Sequence, residues 1–164
     1  MPYCERAEIA GSIRRQKPEV KDIEIVVIPK TEAVKDLFGD PAGDLSLLEG
    51  ALPNILKSWD GWTLKNGQKY KQILLAGGIK LDLFIVTKET WGVQFTLRTG
   101  SADYSHWLVT QRRYGGALPS HAKIEGGRVV VHGRQLETPE EKDFFEFLEI
   151  PMPAPSERTM PQTK

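Results

Sequence analysis

The spacing of hydrophobic and polar residues along the chain predicts a mixture of strands and helices. Short apolar runs rich in β-branched residues indicate strands over residues 6–10, 22–28, 71–76 and 79–86. The last two runs flank Gly77 and Gly78, a pattern typical of a β-hairpin. Apolar residues at helical spacing predict an amphipathic helix over residues 46–59.

Three further helices are predicted in the first two thirds of the chain. Thr31 is a candidate N-cap for a short helix that ends near residue 38, and a turn is expected over residues 39–44. Residues 91–97 and 102–114 are also predicted to be helical. The tryptophans at positions 59, 62, 91 and 107 are expected to belong to the core, with position 107 as a candidate exception.

The last third of the chain changes character after Gly115 and Gly116. Residues 122–125 and 128–131 predict a second hairpin, and Thr138 is expected to cap a helix. The proline-rich tail from residue 151 is expected to be extended. We therefore expect two units, residues 1–115 and residues 116–164.

Composition narrows the class of protein. The chain has 164 residues, of which 40% are hydrophobic, and its formal net charge is zero. This is enough apolar material for a core, while the neutral charge argues against a bulk nucleic-acid binder. Cys4 is the single cysteine and fits a reducing cytosol. No apolar run resembles a signal peptide or a membrane span, so we expect a cytoplasmic protein without a membrane partner.

Acidic residues in two predicted strands are the first candidate chemistry. Asp22 and Glu24 are two positions apart, so on a strand both carboxylates point to the same face. Such a pair is costly unless a cation lies between its members, and Mg²⁺ prefers oxygen ligands of this kind. Asp82 lies between Leu81 and Leu83 and would also need a partner if it were buried. The alternatives are a solvated strand end and an outward-facing acid on an edge strand.

A second candidate is the segment Gly11-Ser12-Ile13-Arg14-Arg15, which follows the first predicted strand. Glycine allows close approach of the backbone to a ligand, a serine hydroxyl can hold a phosphate oxygen, and arginine adds a charged bidentate contact. Taken alone, this segment is equally compatible with a polar turn.

Four motifs, in order, resemble the family X DNA polymerases. The first two are Gly11-Ser12-Ile13-Arg14-Arg15 and Asp22-Ile23-Glu24, which match the family's Gly-Ser-x-Arg-Arg and Asp-x-Asp signatures. Lys80-Leu81-Asp82-Leu83 is similar to the strand with the third catalytic aspartate, and Thr99-Gly100-Ser101 to a turn beside the nucleotide. Residues 138–158 resemble the family's closing helix and tail. The resemblance covers roughly residues 6–158.

The resemblance implies an α+β fold, with a nucleotidyltransferase palm of mixed sheet and helices followed by a small α+β terminal domain. It implies that Asp22, Glu24 and Asp82 bind two Mg²⁺ ions, with Mn²⁺ as an alternative metal. It also implies that Lys80 lies near the primer end. The implied nucleotide-binding residues are Gly11, Ser12, Arg15, Lys21, Arg98, Thr99, Gly100 and Ser101.

Three positions depart from the family pattern. Glu24 replaces the usual second aspartate, Lys21 replaces a glycine near the triphosphate, and Arg98 replaces an aromatic residue beside the sugar. The printed sequence has no counterpart of the family's N-terminal lyase and helix-hairpin-helix regions. We therefore expect a minimal form without lyase activity.

The function expected from these motifs is template-dependent DNA polymerisation of the family X type, by two-metal phosphoryl transfer. Its partners would be a DNA primer-template and nucleoside triphosphates, and the protein is expected to be a monomer. It would be cytoplasmic, either nucleoid-associated or viral if it comes from a phage. Two alternatives stay open, namely a nucleotidyltransferase acting on an RNA end or a small molecule, and an inactive nucleic-acid-binding module.

Overall fold

The computed structural model describes residues 2–160, and within them the chain forms ten strands and five α-helices. The strands are β1 Cys4–Ile9, β2 Asp22–Pro29, β3 Thr31–Lys35, β4 Pro41–Ser46, β5 Trp62–Asn66, β6 Tyr70–Leu74, β7 Lys80–Ile85, β8 Ala122–Glu125, β9 Arg128–Val131 and β10 Arg134–Leu136. The helices are α1 Gly11–Arg14, α2 Leu47–Ser58, α3 Trp91–Thr99, α4 Ala102–Val109 and α5 Glu141–Phe147. Short 3₁₀ turns cover Ala76–Gly78, Lys88–Thr90, Arg112–Tyr114 and Pro155–Glu157.

A five-stranded sheet in the order β1-β2-β7-β6-β5 forms the centre of the fold. Strands β2 and β7 run parallel, and the other pairs in this sheet are antiparallel. The hairpin β3-β4 and the three-stranded sheet β10-β9-β8 are separate from it. The protein is therefore a mixed α+β fold with a mixed sheet, as the sequence predicts.

The two faces of the central sheet are covered by different helices. On one face, buried residues such as Val27, Ile73 and Leu81 pack against α2. Val26 and Phe84 on the other face pack against α3. The alternation of side chains along β2 and β7 produces both faces, because neighbouring strand residues point in opposite directions.

A third cluster of buried residues joins α3 and α4 to the C-terminal part of the chain. Val93 and Leu108 of the two helices pack with Val129 of β9 and with Phe144 and Phe145 of α5. The C-terminal strands and helix thus share a hydrophobic core with the helices that precede them. The division of the chain into two units at residue 115 stays a prediction.

Most elements predicted from local patterns are confirmed. The predicted strands correspond to β1, β2, β6 and β7, and both hairpins are present. Helix α2 begins after Ser46, whose hydroxyl accepts a hydrogen bond from Glu49 N at 3.2 Å. Its Leu48, Leu52 and Leu56 are buried, as helical spacing requires. None of the helices within residues 2–160 combines the length and apolarity needed to cross a membrane.

The helix predicted after Thr31 is wrong. Residues Thr31–Lys35 form β3, which pairs antiparallel with β4, so the turn expected over residues 39–44 is also too long. Asp36 Oδ1 accepts hydrogen bonds from the backbone N–H groups of Phe38 and Asp40. An aspartate that bonds the backbone in this way closes a tight turn and competes with a helix.

Two other helix boundaries differ from the prediction. Helix α4 ends at Val109 rather than near residue 114. The cap of α5 is Glu140, which forms a capping box with Asp143, and Thr138 does not cap it. The backbone oxygen of Thr138 instead accepts a hydrogen bond from Gly92 N at 3.0 Å. The predicted extended tail is interrupted by the 3₁₀ turn Pro155–Glu157, and Pro161 lies outside the described residues.

Candidate active site

Asp22, Glu24 and Asp82 lie on one face of the central sheet. In the parallel pair β2-β7, Asp22 is opposite Lys80 and Glu24 is opposite Asp82. Residues two apart on a strand share a face, and so do register partners. All three acids are half-buried. The fold thus brings Asp82 onto the same face as Asp22 and Glu24, which lie 60 and 58 positions before it in the sequence.

Asp82 is held by two side chains from β6. Its Oδ1 accepts hydrogen bonds from Tyr70 Oη at 2.7 Å and from Gln72 Nε2 at 3.0 Å. Burial, followed by the hydrogen bond to Asp82, raises the pKa of Tyr70 to about 12. Tyr70 therefore stays protonated near neutral pH and orients one oxygen of the Asp82 carboxylate.

Glu24 lies against the turn that connects β1 to α1. Gly11 has a φ of +60°, and a Cβ built there would lie 1.6 Å from Glu24 Oε2. Burial is the largest cause that raises the pKa of Glu24, and the charge of Asp22 raises it further. Arg15 and Arg98 lower it only in part. Burial and the neighbouring carboxylates thus disfavour the ionised form of Glu24, and a bound cation would offset this effect.

Arg98 turns toward these acids from α3. Its guanidinium carbon lies 4.1 Å from the centroid of the Phe84 ring, a cation–π contact. Desolvation lowers the pKa of Arg98, while the charge of Glu24 is the leading influence in the opposite direction. Arg98 therefore contributes positive charge to the acidic face.

The Gly-Ser-x-Arg-Arg segment lies beside the Thr-Gly-Ser turn. Arg15 Nη1 donates to the backbone oxygens of Thr99 at 2.7 Å and Gly100 at 3.0 Å. Within the described residues, Ser12 Oγ and Arg15 Nε are buried and have no hydrogen-bond partner. Buried polar atoms without partners are costly, so this corner of the site is suited to a polar ligand.

The remaining predicted site residues have other surroundings. Thr99 Oγ1 accepts from Arg14 Nη1 at 2.6 Å, and Ser101 caps α4 by accepting from Tyr104 N at 3.3 Å. The hydroxyls of Thr99 and Ser101 thus already have structural partners. Lys21 and Lys80 are exposed at the beginning of β2 and β7.

The chemistry of the donor set fits a divalent cation, although the side chains do not converge. Within residues 2–160, no group of three or more His, Cys, Asp or Glu residues is arranged to hold a metal ion. Glu24 is directed toward Gly11, and Asp82 Oδ1 is bonded to Tyr70 and Gln72. Carboxylate oxygens on one face, with a raised glutamate pKa among them, nevertheless match the preference of Mg²⁺ for hard anionic ligands. Joint binding would require rotation of side chains on a fixed backbone.

Sequence reasoning missed two groups of residues around the site. Tyr70 and Gln72 are register partners of Phe84 and Asp82, so counting back across the Gly77-Gly78 turn could have identified them. Arg14 and Arg158 both bond the Glu141 carboxylate, a connection between distant parts of the chain for which the sequence has no local signal.

The chain is 28% identical to DNA polymerase lambda of Rattus norvegicus over 163 residues, in a match that covers 90% of this chain. The chain spans 28% of the length of that polymerase. No family model matches the chain. The similarity indicates a relationship to a family X-like enzyme and hints at a polymerase or nucleotidyltransferase function.

Proposed function

We propose that the chain is a nucleotidyltransferase, in its leading form a template-dependent DNA polymerase of the family X type that adds nucleotides to a primer 3′-hydroxyl. The observation that carries this proposal is the register of β2 and β7, which brings Glu24 beside Asp82 with Asp22 on the same face. The similarity to DNA polymerase lambda supports the same class of reaction. Nucleoside triphosphates and a DNA primer-template would be the substrates.

Asp22, Glu24 and Asp82 would hold Mg²⁺ ions, or Mn²⁺ in their place. When bound, the metal would favour ionisation of the acceptor hydroxyl and neutralise charge on the triphosphate and the leaving pyrophosphate. Tyr70 and Gln72 would orient Asp82, because each donates a hydrogen bond to its Oδ1. Oriented ligands lose less freedom when the site is completed.

The corner formed by α1 and the Thr-Gly-Ser turn would receive the triphosphate. Ser12 Oγ and Arg15 Nε have no partner among the described residues and can donate to phosphate oxygens. Gly11 would let the triphosphate approach the backbone, and its missing side chain leaves room for the Glu24 carboxylate against this turn. Lys21 would add charge at the mouth of the site, and Lys80 would lie near the primer end.

In this proposal residues 1–115 form the palm and residues 116–164 form a small domain that closes over the nucleotide. Helix α5 packs against α3 and α4, so that any movement of α5 would be transmitted to the helix that carries Arg98. The protein would act as a monomer.

The second candidate is nucleotidyl transfer to an RNA end or a small molecule. The formal net charge of zero favours it, since proteins that bind duplex DNA tightly usually carry a basic excess. The third candidate, an inactive binding module, is opposed by three acids on one sheet face, which are costly to keep without a cation.

A transfer assay tests the proposal. The protein is incubated with labelled gapped, recessed or single-stranded DNA, or with a 3′-hydroxyl RNA, together with four nucleotides and Mg²⁺ or Mn²⁺. Extension of recessed or gapped DNA that follows the template is expected. Asp82→Asn should lose this activity, and Asp44→Asn is the matched control, because Asp44 is an exposed acid in the β3-β4 hairpin. Absence of transfer to every DNA and RNA acceptor would refute the polymerase and leave only a small-molecule acceptor for a nucleotidyltransferase.

A further inference from the structure

Trp62 is a large aromatic residue that the fold leaves in solvent. Its side chain is 54% exposed, although the sequence suggests a core position. It begins β5, which forms one edge of the central sheet. An exposed aromatic surface has an energetic cost in water, and base-stacking surfaces are among the sites where such surfaces occur.

Strand register shows which face Trp62 occupies. Trp62 is opposite Leu74, Leu74 is opposite Lys80, and Lys80 is opposite Asp22. Register partners point to the same face of a sheet. Trp62 therefore lies on the acidic face, in the row that ends at Asp22.

A bulge adds a cation to the same surface. Thr63 pairs with Ile73 and Lys65 pairs with Gln72, so Leu64 is the extra residue. Without the bulge, residues three apart would point to opposite faces, but here Trp62 and Lys65 share one. The row of Lys65 continues through Gln72 and Asp82 to Glu24.

The distance from Trp62 to the three acids distinguishes a nucleic-acid acceptor from a small-molecule acceptor. Three spacings of roughly 4.8 Å between neighbouring strands put Trp62 about 14 Å from Asp22. A small-molecule acceptor at the carboxylates would not reach so far, whereas a polynucleotide with about 3.4 Å per stacked nucleotide would cover the distance in about four nucleotides. Lys65 and Lys80 lie along this path and are exposed.

We propose that Trp62 stacks on an unpaired base of a nucleic-acid strand that lies across this face of the sheet, with Lys65 and Lys80 on its phosphates. Aromatic side chains between cations are the elements that bind single strands without reading their sequence. The inference rests on the proposed function and names its acceptor class, namely a nucleic acid with an unpaired segment next to the reacting end.

Binding is measured first, without metal or nucleotides. The probe is a fluorescein-labelled 12-nucleotide single-stranded DNA, followed by anisotropy, with a blunt duplex of the same sequence for comparison. Trp62→Ala should weaken binding of the single strand by about 5- to 150-fold, the range for one stacked base. Trp62→Phe should retain most of the affinity, since a phenyl ring can still stack. In a plot of the logarithm of the binding constant against the logarithm of salt concentration, Lys65→Ala should make the slope shallower by about 0.7.

Trp59 is the matched control, because it is the same residue type and is 53% exposed. It lies at the C-terminal end of α2, the helix that covers the opposite face of the sheet. Trp59→Ala should leave DNA affinity unchanged. Equal affinities of wild type and Trp62→Ala, or equal losses in Trp59→Ala and Trp62→Ala, would overturn the inference.

The transfer assay separates failure of this inference from failure of the proposed function. If Trp62→Ala transfers nucleotides to subsaturating DNA as fast as wild type, the stacking role is overturned, and the proposed enzymatic function is retained. If single-stranded DNA binds in a Trp62-dependent way but the protein transfers no nucleotide to nucleic acid, the stacking role is supported and the proposed polymerase function is refuted. A wild-type protein that binds no single strand would overturn the stacking proposal, whether or not it transfers nucleotides.

Discussion

The guanidinium of Arg98 lies over the ring of Phe84, with its central carbon 4.1 Å from the ring centroid. Phe84 is two residues beyond Asp82 on the same strand, so this contact aims the arginine at the acidic face. Its charge lowers the pKa of Glu24, and the charge of Glu24 acts on Arg98 in turn. A flexible, positively charged donor therefore borders the acidic face.

We expect weak discrimination against ribonucleotides. An arginine can hydrogen-bond a 2′-hydroxyl or reach a phosphate, whereas a ring can only exclude by its bulk. The measurement is competing incorporation of dNTPs and rNTPs by wild type and by Arg98→Phe. The substitution should raise selectivity for deoxyribonucleotides. Strong rejection of rNTPs by wild type, unchanged in Arg98→Phe, would contradict this prediction.

Removal of the Asp82 carboxylate should abolish transfer without unfolding the protein. Asp82→Ala is expected to reduce kcat by more than about 100-fold, above the usual 10- to 100-fold effect of residues that only orient a metal ligand. Tyr70→Phe, which loses one donor to Asp82, should fall within that smaller range and need more Mg²⁺. Circular dichroism and urea unfolding serve as controls. Near wild-type turnover of Asp82→Ala would show that Asp82 is not a catalytic residue.

Ser12→Ala should weaken nucleotide binding without lowering the stability of the fold. The Ser12 hydroxyl is buried without a partner among the described residues, so its loss should leave the free energy of unfolding unchanged or raise it by about 1 kcal/mol. Nucleotide binding should weaken by about 1.5–3 kcal/mol, the range for a hydrogen bond to a charged group. Calorimetric titration and urea denaturation measure the two quantities. Unchanged nucleotide affinity would show that the phosphates do not bind at Ser12.

We expect Arg15 to bind the nucleotide and to stabilise the turn that borders it. Arg15→Ala should weaken triphosphate binding by about 1.5–3 kcal/mol. It should also loosen the turn at Thr99 and Gly100, whose carbonyls Arg15 now bonds. Arg15→Lys should not restore full affinity, because a point charge cannot reproduce the guanidinium fork. If both variants bind nucleotide like wild type, Arg14 or Lys21 becomes the next candidate.

Glu141 is expected to control stability in acid. Burial tends to raise its pKa, but hydrogen bonds and charge from Arg14 and Arg158 outweigh burial, and the pKa lies below the ordinary value of 4.5. A carboxyl with a lowered folded-state pKa contributes stability above its unfolded pKa, and that stability is lost as pH falls through the folded value. Glu141→Gln should cost about 3–5 kcal/mol at pH 7, since the buried guanidinium of Arg158 and the half-buried guanidinium of Arg14 lose their counterion.

The test is urea unfolding of wild type and Glu141→Gln from pH 7 down to pH 3. The difference in unfolding free energy should be constant above about pH 5 and should shrink below it. Glu146→Gln is the control, because Glu146 is an exposed acid of the same helix. A difference that is independent of pH across this range would show that the Glu141 charge is not what stabilises the contact.

The sequence by itself determined the elements whose residues carry a strong local period. The alternation in β2, the β6-β7 hairpin around Gly77 and Gly78, and the four-residue spacing in α2 were each predicted and are confirmed. That Asp22 and Glu24 share a face also follows from the chain alone, because strand side chains alternate with a period of two. Local geometry is sufficient in these cases, since the relevant residues are close in sequence.

Only the tertiary structure decided which side chains meet. Arg14 and Glu141 are 127 positions apart, and no local pattern indicates that α1 and α5 pack together. The β3-β4 hairpin replaced a predicted helix because pairing of the two strands across the Asp36 turn outweighed a weak helical preference. Trp62 was expected in the core, but its exposure follows from the position of β5 at the edge of the sheet, which arises from pairing between strands. Long-range register is set by the sum of many contacts, and that sum is not encoded in any single segment.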